Sequence, residues 1–416
     1  MPKEHYIVGL DVGTYAVRAV QAKYNPEKNE FSVIGASEVE SRGVRRGVIV
    51  DIEEAVSCIS KTLERLERMT GVPVSAANVS VSGGHVSALQ SHGVIAVSRA
   101  DGEISEADVV RCIDASQAIS IPQNREVLHV FPKTFTLDGQ TGIRDPLGMS
   151  GIRLEVDSVI VQAGLPFVKN LTKAVMQAGL EIEDLVLAPL GASEAVLSKR
   201  QKDLGVCLVD LGAGTTSMAV FEESDLVHTV VLPVGSQHIT NDIAIGLRCS
   251  IETAERVKLD YGHSDPKAIA RDEEIDLSKI DPGEEQNTTR NYVVEIIEAR
   301  LEEIFSMINA ELKKISRDGK LPAGIVLTGG GANLPGVADF AKKHLRLPVT
   351  IGKLQNISTI IDRVQDPSFA TVSGLALWGE EFGHGGGSDS LSSVLNKFLK
   401  HPKAEKVKSW FKSFLP

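Results

Sequence analysis

The sequence predicts an α/β protein with two lobes around a cleft, and three short stretches support that fold class. Residues 7–20 (IVGLDVGTYAVRAV) and 206–220 (VCLVDLGAGTTSMAV) each place an apolar strand before an aspartate, a glycine turn and a second strand. Residues 325–336 (IVLTGGGANLPG) run from an apolar strand into three glycines. Two matching hairpins about 200 residues apart indicate a duplicated domain. The 416 residues, 42% of them hydrophobic, suffice for two cores.

The glycine turn of each hairpin is suited to gripping a phosphate. Glycine lets backbone N–H groups approach one anion, and threonine hydroxyls add donors. The candidate phosphate-binding residues are Gly13, Thr14, Gly212, Gly214, Thr215 and Thr216. Asp11 and Asp210 end the first strand of each hairpin, where a carboxylate can hold a hydrated Mg²⁺ ion beside the phosphates. A single such stretch could be only a tight hairpin turn, but its repetition favours the phosphate site.

The third glycine run completes a nucleotide site. Gly329, Gly330 and Gly331, followed by Asn333, let the backbone lie flat against a base or ribose, where any Cβ would intrude. The order of the three stretches resembles the phosphate-1, phosphate-2 and adenosine loops of the actin, Hsp70 and sugar-kinase superfamily. This resemblance implies an actin-like two-lobed ATPase fold of duplicated ribonuclease-H-like domains, with ATP and Mg²⁺ as cofactors.

The elements after the first hairpin predict the rest of one lobe. Residues 31–39 form a strand pattern and 41–47 (SRGVRRG) a polar turn. Asp51 is the expected N-cap of a helix whose apolar residues recur at helical spacing. A strand at 79–82 then gives the order β-β-β-α-β, which is typical of a ribonuclease-H-like lobe.

An inserted subdomain is expected at 84–162. Residues 85–98 alternate in the manner of an edge strand pair, Ser105 is the expected N-cap of an amphipathic helix, and 125–139 and 151–164 are strand patterns. Its histidines lack the spacing of metal ligands and are expected to be single core or surface residues; they are His85, His92 and His129. A segment with strands but no catalytic constellation is expected to be a contact surface.

The corner between the strand and the helix within 180–198 indicates whether the protein can hydrolyse a nucleotide. Residues 166–179 predict a helix, and 180–198 a strand entering another helix. Nucleotide hydrolases of the superfamily place a Glu or Gln near this corner to position the attacking water. Here the corner carries Ala188, Pro189 and Leu190, and Glu194 is expected to be solvated or to pack between lobes. The sequence therefore predicts weak hydrolysis and no identified catalytic residue.

A pair of helices follows the second hairpin. With Ser250 as N-cap, Glu255 and Lys258 lie three residues apart on one helix face, where both could reach a ribose hydroxyl or the base edge. An ordinary surface ion pair is the alternative. Residues 267–289 predict an acidic loop around a short strand, a long helix begins near Arg290, and 369–383 predict a closing helix packed on the first lobe.

Charge, cysteine spacing and hydropathy argue against several classes of protein. A net charge of -11 argues against non-specific nucleic-acid binding. The four cysteines are far apart and form no CxxC pair, so free buried thiols are expected. No apolar run approaches the roughly 20 residues of a spanning helix, and no signal region precedes the first strand, so a cytoplasmic protein is expected.

The C-terminal residues differ from the body. A glycine-rich linker at 383–390 precedes 391–416, which holds six lysines against one glutamate and repeats an i, i+3, i+4, i+7, i+8 apolar pattern. Such a pattern is typical of a helix that binds an anionic membrane surface. The alternative is an ordinary C-terminal helix that packs on the rest of the protein. The candidate membrane residues are Lys406, Val407, Lys408, Trp410, Phe411, Lys412, Phe414 and Leu415.

Taken together, these motifs resemble the FtsA family of actin-like bacterial cell-division proteins. The matching stretches are GLDVGT (9–14), SRGVRRGVIVD (41–51), LHVFP (128–132), PLGMSG (146–151), AGIVLTGGGANLPG (323–336) and the amphipathic tail. The resemblance implies that the insertion contacts later division proteins or a neighbouring protomer. It also implies that 229–305 receives the C-terminal tail of the tubulin-like FtsZ. Arg290 and Arg300 are candidates for gripping that acidic tail, or are ordinary surface charges.

The resemblance also divides the chain and suggests its role. The expected parts are a first lobe (1–83, 163–197, 357–382), the insertion (84–162), a second lobe (198–228, 306–356), a nucleotide- and partner-contacting subdomain (229–305), the linker and the tail. The expected protein is an ATP-binding adaptor that polymerises and holds FtsZ filaments on the cytoplasmic face of the inner membrane at the division septum. A pilus-assembly actin homologue and a small-molecule kinase are the alternatives.

Overall fold

The computed structural model describes residues 5–25, 30–98, 101–118, 122–270, 273–284, 287–355 and 357–383. Within these ranges the chain is a mixed α/β protein, as the hydrophobic patterns predict. Apart from Gly383, the predicted linker and the whole predicted membrane-binding tail lie outside the described residues. Among the described residues, no helix is long and apolar enough to cross a membrane.

The first part of the chain forms a sheet, a helix and an inserted segment. Up to the insertion the elements are β1 (His5–Val12), β2 (Ala16–Asn25), β3 (Glu30–Glu40), β4 (Val44–Arg45), β5 (Val48–Ile49), α1 (Ile52–Thr70) and β6 (Ala76–Val81). The inserted segment contains β7 (Ser87–Ala96), α2 (Glu106–Gln117), β8 (Arg125–Leu137), β9 (Gln140–Ile143) and β10 (Arg153–Gly164). The chain then returns through α3 (Leu165–Gln177), β11 (Glu181–Leu187), α4 (Ala188–Val196) and α5 (Lys199–Leu204).

The second lobe follows directly and the chain ends on the first. Its elements are β12 (Val206–Leu211), β13 (Thr216–Glu222), β14 (Asp225–Leu232), α6 (Ser236–Leu247), α7 (Ile251–Tyr261), β15 (Glu274–Asp276), β16 (Asn287–Thr289), α8 (Arg290–Lys314), β17 (Ile325–Thr328), α9 (Val337–Leu345) and β18 (Val349–Ile351). The last described elements are β19 (Ser358–Thr359) and α10 (Ala370–Gly383).

The duplication predicted from the two hairpins is visible in the sheet topology. The first lobe has the strand order β11-β6-β1-β2-β3, and the second has β18-β17-β12-β13-β14. In each, three antiparallel strands are joined to two parallel ones. The register matches as well, because Asp11 faces Arg18 and Asp210 faces Ser217, seven residues on in both hairpins. The fold class predicted from the sequence is confirmed.

Local helix signals are confirmed where side chains cap the backbone. Asp51 Oδ1 accepts a hydrogen bond from Glu54 N at 3.1 Å, and Ser250 Oγ accepts one from Thr253 N at 3.0 Å. Ser105 precedes α2 as predicted, and its backbone N donates to Asp108 Oδ2 at 3.0 Å. These caps satisfy N–H groups that a helix start leaves unpaired.

The prediction of an edge strand pair at 85–98 is wrong. These residues form the single strand β7, which lies inside the sheet between β14 and β10. Gly93 in its middle does not turn the chain. A Cβ at Gly93 would overlap the carbonyl oxygen of Cys112, so the glycine is where α2 packs against the strand.

Short strands occupy the polar turn and the acidic loop, and only the acidic loop was expected to contain one. The polar turn at 41–47 includes the strand β4, which pairs with β5, and the acidic loop holds the pair β15 and β16. Strand β9, at the edge of the inserted sheet, was also not predicted. These strands have two to four residues, too few for an alternating pattern to show.

The insertion joins the sheet of the second lobe. Strand β14 pairs with β7 through one register pair, Val230 opposite Ser87, giving a nine-stranded sheet. The insertion makes a second contact with this lobe, where Arg144 Nη2 lies 3.0 Å from Glu223 Oε2. The insertion is therefore continuous by chain with the first lobe and by hydrogen bonding with the second.

Two helices cross between the lobes. Helix α10 packs on β1, β2 and β6, as the sequence predicts, and also on α4, which contacts β12 and β13. They cross at Gly191 and Gly374, where a Cβ on Gly374 would overlap the carbonyl oxygen of Gly191. Only a residue without a side chain allows helix backbones to approach so closely.

We expect Gly374→Ala to lower the free energy of unfolding by about 2 kcal/mol, because the added methyl must push α4 and α10 apart. Urea unfolding followed by circular dichroism measures the change. Gly84→Ala is the control, since its Cβ would lie 3.6 Å from Pro233 in ordinary contact. Equal unfolding midpoints for the two variants would contradict the proposed crossing.

Candidate functional site

The two glycine turns meet across the cleft between the lobes. Gly13 N donates to Ala16 O at 3.2 Å, and Gly212 N donates to Thr215 O at 3.0 Å, so both turns close with the same hydrogen bond. A Cβ on Gly214 would lie 2.7 Å from Thr14 Oγ1 of the other hairpin. The structure therefore brings the two predicted phosphate loops into contact. Thr216 lies behind the second loop, fully buried, where its hydroxyl donates to Val234 O at 2.8 Å.

Two carboxylates lie at the base of these turns. Asp11 Oδ1 accepts a hydrogen bond from Ser80 Oγ at 2.6 Å, and Asp210 Oδ2 accepts one from Thr371 Oγ1 at 3.3 Å. Burial raises the pKa of both, and the charge of Asp11 helps to raise the pKa of Asp210 to about 6. Two neighbouring carboxylates that resist ionisation suit a bound cation, which would neutralise them.

The donor set fits a hydrated cation rather than a direct protein cage. Within the described ranges, no group of three or more His, Cys, Asp or Glu side chains could hold a metal ion. A Mg²⁺ ion held by Asp11 and Asp210 would thus take its other ligands from water and phosphate oxygens, as Mg²⁺ commonly does.

The third glycine run packs on the second hairpin. Strand β17 runs parallel to β12, with Thr328 opposite Asp210. A Cβ on Gly329 would overlap the carboxylate of Asp210, and one on Gly331 would lie 2.5 Å from Leu211 Cγ. Gly330 is exposed, and the nearest atom to an added Cβ is 3.9 Å away, which leaves an open, flat backbone surface.

Asn333 is tied down rather than free in the cleft. Its Nδ2 donates to both carboxylate oxygens of Asp366, at 3.0 and 3.1 Å. Asp366 in turn accepts from Ser368 N at 2.8 Å. These bonds fix the end of the third glycine run against the segment that precedes α10.

Glu255 and Lys258 form a partly buried pair that faces the first hairpin. Lys258 Nζ lies 2.6 Å from Glu255 Oε2, and Thr240 Oγ1 bonds to both groups at 2.5 and 2.9 Å. The Lys258 side chain is only 12% exposed. Burial and then the charge of Glu255 raise the pKa of Tyr15, which follows Thr14 in the first hairpin. The two side chains therefore differ from a solvated surface pair.

Several residues of the site escaped the sequence reasoning. Ser80 and Thr371 contact the aspartates, and Ser82 Oγ lies 3.5 Å from Thr215 Oγ1. Arg18 Nε donates to Glu38 Oε2 at 2.7 Å, and its guanidinium lies over the Phe369 ring. The available signal was Ser80 near the end of β6 and Ser82 just after it, since polar residues at a strand end commonly mark a site.

The strand-to-helix corner carries no group that could position a water. Ala188 and Leu190 are buried in the first turn of α4. Glu194 Oε1 instead lies 2.8 Å from Lys202 Nζ, which gives its carboxylate a structural partner. Weak hydrolysis stays a prediction.

The remaining candidates have partners within the chain. Arg290 donates to Tyr261 O and to Glu273, each at 2.9 Å, and Arg300 donates to both oxygens of Asp242 at 2.6 and 2.9 Å. A partner that used these guanidiniums would share them with existing carboxylates.

The inserted histidines occupy three unrelated settings. His92 bonds to Glu155 and Asp157 on the exposed sheet face, each at 2.9 Å. His129 is buried, and His85 stacks on Phe167 with ring centroids 4.6 Å apart.

Solved structures share this fold. A PilM–PilN type IV pilus biogenesis complex aligns with a TM-score of 0.65 at 17% identity, covering 90% of this chain and 98% of that one. MreB5 of Spiroplasma citri bound to ADP aligns with a TM-score of 0.52 at 15% identity, covering 90% and 96%. At these identities the likeness concerns the fold alone.

Comparison of the sequence with known families identifies more than the fold. A family model described as cell division protein FtsA matches residues 207–374, and one described as the SHS2 domain inserted in FtsA matches 83–162. Cell division protein FtsA of Pseudomonas aeruginosa is 36% identical over 406 residues, covering 97% of both chains. The Bacillus subtilis protein of that name is 39% identical over 375 residues, covering 90% of this chain and 83% of the relative. With this identity along nearly the whole chain, the protein belongs to the FtsA family of cell-division proteins.

Proposed function

We propose that the chain binds Mg-ATP between its two glycine hairpins. The observation that carries the proposal is the close approach of Gly214 to Thr14, beside two partly buried aspartates with raised pKa values. Thr14, Thr215 and the backbone N–H groups of the turns are the phosphate donors, and Asp11 with Asp210 holds Mg²⁺ through water. The base and ribose would lie on the open backbone at Gly330, with Glu255 and Lys258 at the ribose or base edge.

In this proposal ATP acts mainly as a structural switch. A ligand gripped by both hairpins bridges the two lobes, and so sets their angle about the crossing of α4 and α10. The angle would decide whether protomers can stack into a filament. Hydrolysis is expected to be weak, because Ala188 and its neighbours offer no side chain to position water.

The second part of the proposal is attachment to a membrane. The basic, aromatic residues 391–416 would bind an anionic inner leaflet at the division septum as a peripheral anchor. One short helix binds reversibly, so a filament carrying many tails would hold the surface far more tightly than one copy.

The third part concerns the partner. Cell division by this family leads us to assign the FtsZ tail to 229–305 and later division proteins to the insertion. Ile245 and Tyr292 support a docking surface in 229–305, since they are 76% and 44% exposed. They lie close together, because Gly246 packs against Tyr292 and Ile296. Arg290 and Arg300 would add charge to an acidic peptide. The pilus-assembly alternative rests on fold likeness alone.

Gly214→Glu should abolish ATP binding, because the new side chain would meet Thr14 and place a negative charge in the phosphate site. Isothermal titration with Mg-ATP measures the loss. Gly283→Glu adds the same charge on an exposed loop, where a Cβ meets only Asp281 at 3.4 Å, and should bind normally. Wild-type affinity in Gly214→Glu would remove the central claim.

Asp210→Asn should stabilise the metal-free protein above pH 6 by roughly 1–3 kcal/mol. The pKa of Asp210 is raised from 3.8 to about 6, so the free energy of unfolding of the wild type falls as pH rises from about 4 to about 6 and stays at the lower value above that. Below about pH 4 the group is neutral in both states and the advantage should vanish. Urea unfolding at pH 4 and pH 8 tests this, with Asp260→Asn as surface control.

With Mg-ATP present, the wild type should become more stable than Asp210→Asn. It should raise the melting temperature of the wild type and leave Asp210→Asn unchanged, because the variant lacks a carboxylate for the cation. A variant that gained as much from Mg-ATP as the wild type would exclude Asp210 from the metal site.

Deleting residues 406–416 should release the protein from anionic liposomes without changing its ATP affinity. Co-sedimentation with vesicles containing phosphatidylglycerol measures binding, and pure phosphatidylcholine vesicles show how much of it depends on charge. If the shortened chain still sediments with the anionic vesicles, the anchor assignment is wrong.

A further inference from the structure

A two-residue turn lies where the hairpins meet. Strands β4 and β5 pair Val44 with Ile49 and Arg45 with Val48, which leaves Arg46 and Gly47 as the turn. Their φ angles are +50° and +75°. This is the left-handed geometry of a tight hairpin turn, whose first position usually holds Asn, Asp or Gly. An arginine here is conformationally costly and calls for a reason.

The turn is held against both phosphate loops. Gly47 N donates to Thr14 Oγ1 of the first loop at 2.9 Å. A Cβ on Gly214 of the second loop would lie 2.9 Å from Arg46 Cα and 3.0 Å from Arg46 N. On its other side, a Cβ on Gly47 would lie 2.9 Å from Gly83 N. The backbone of Arg46 is therefore fixed at the junction of the two loops.

The phosphate loops themselves bring no positive charge. Residues 11–16 (DVGTYA) and 210–216 (DLGAGTT) contain two aspartates and no lysine or arginine. A nucleoside triphosphate has about four negative charges, of which one Mg²⁺ offsets two, so the site needs a further cation.

Some basic side chains beside the cleft already have a partner within the chain, and one does not. Arg18 is bound to Glu38 and lies over Phe369, and Lys258 is bound to Glu255. Arg46 is exposed, and its guanidinium has no ion-pair or hydrogen-bond partner among the residues that the structure describes. It is thus available to a ligand at no cost in broken contacts.

The position of the turn indicates which phosphate it meets. The third glycine run packs on Asp210 and Leu211, at the base of the second hairpin, whereas Arg46 packs on Gly214 at its tip. A nucleotide with its nucleoside at the base would extend its phosphates toward the tip. The terminal phosphate is then the group nearest Arg46.

We propose that Arg46 binds the terminal phosphate of the nucleotide and so distinguishes the triphosphate from the diphosphate. The inference rests on the proposed Mg-ATP site and adds a residue to it. A guanidinium binds a terminal phosphate with two parallel hydrogen bonds, which the diphosphate could not reach from the same position. The strained turn thereby becomes a sensor of the third phosphate.

The test compares ATP and ADP affinity in the full chain by isothermal titration with Mg²⁺. Arg46→Gly removes the guanidinium and suits the positive φ, so the turn is preserved. We expect ATP affinity to fall at least about tenfold and ADP affinity to stay within about twofold. Arg45→Ala, an equally exposed neighbour, should change neither, and Arg46→Lys should lie between the wild type and Arg46→Gly for ATP.

The outcomes separate the two proposals. If the wild type binds neither nucleotide, the proposed function fails. If the wild type binds ATP and Arg46→Gly binds it equally well, only the sensor is overturned. An equal loss for ATP and ADP would also overturn it, because the contact would then lie with an inner phosphate or with the turn itself.

Discussion

The candidate site depends on the close approach of Gly214 to Thr14, where a Cβ would lie 2.7 Å from the threonine hydroxyl. The two turns touch, the charge of Asp11 acts on Asp210, and the turn at Arg46 packs on both loops. The identical closing bonds at Gly13 and Gly212 show that each lobe presents the same hairpin to the other. Two similar loops therefore face each other in the cleft. Only the second loop also packs against the third glycine run.

The two aspartates oppose each other electrostatically. Burial raises the pKa of both Asp11 and Asp210, and the charge of Asp11 raises that of Asp210 further, so ionising both carboxylates costs stability. The sheets and the helix crossing at Gly191 and Gly374 provide the packing that tolerates this. In the proposed function, a bound cation would offset the repulsion between the two carboxylates and so would stabilise the protein when it binds.

The sequence predicted the parts of this fold that depend on local signals. Glycine turns, apolar strands and caps such as Asp51 and Ser250 are encoded within a few residues, and the repeated hairpin revealed the duplication. Contacts between distant segments could not be inferred in this way. Ser80 reaches Asp11 across 69 residues, and Thr371 reaches Asp210 across 161. The placement of β7 and the occupied state of Arg300 likewise depend on neighbours that no local pattern specifies.

The seam between Val230 and Ser87 has a mechanical consequence. The insertion is connected to the first lobe by the chain segments after β6 and before α3. Its strand β7 pairs with β14 of the second lobe at one register position. Leu128 and Val159 of the insertion also share a core with Val231 of the second lobe. A change of angle between the lobes would therefore displace the insertion relative to at least one of them.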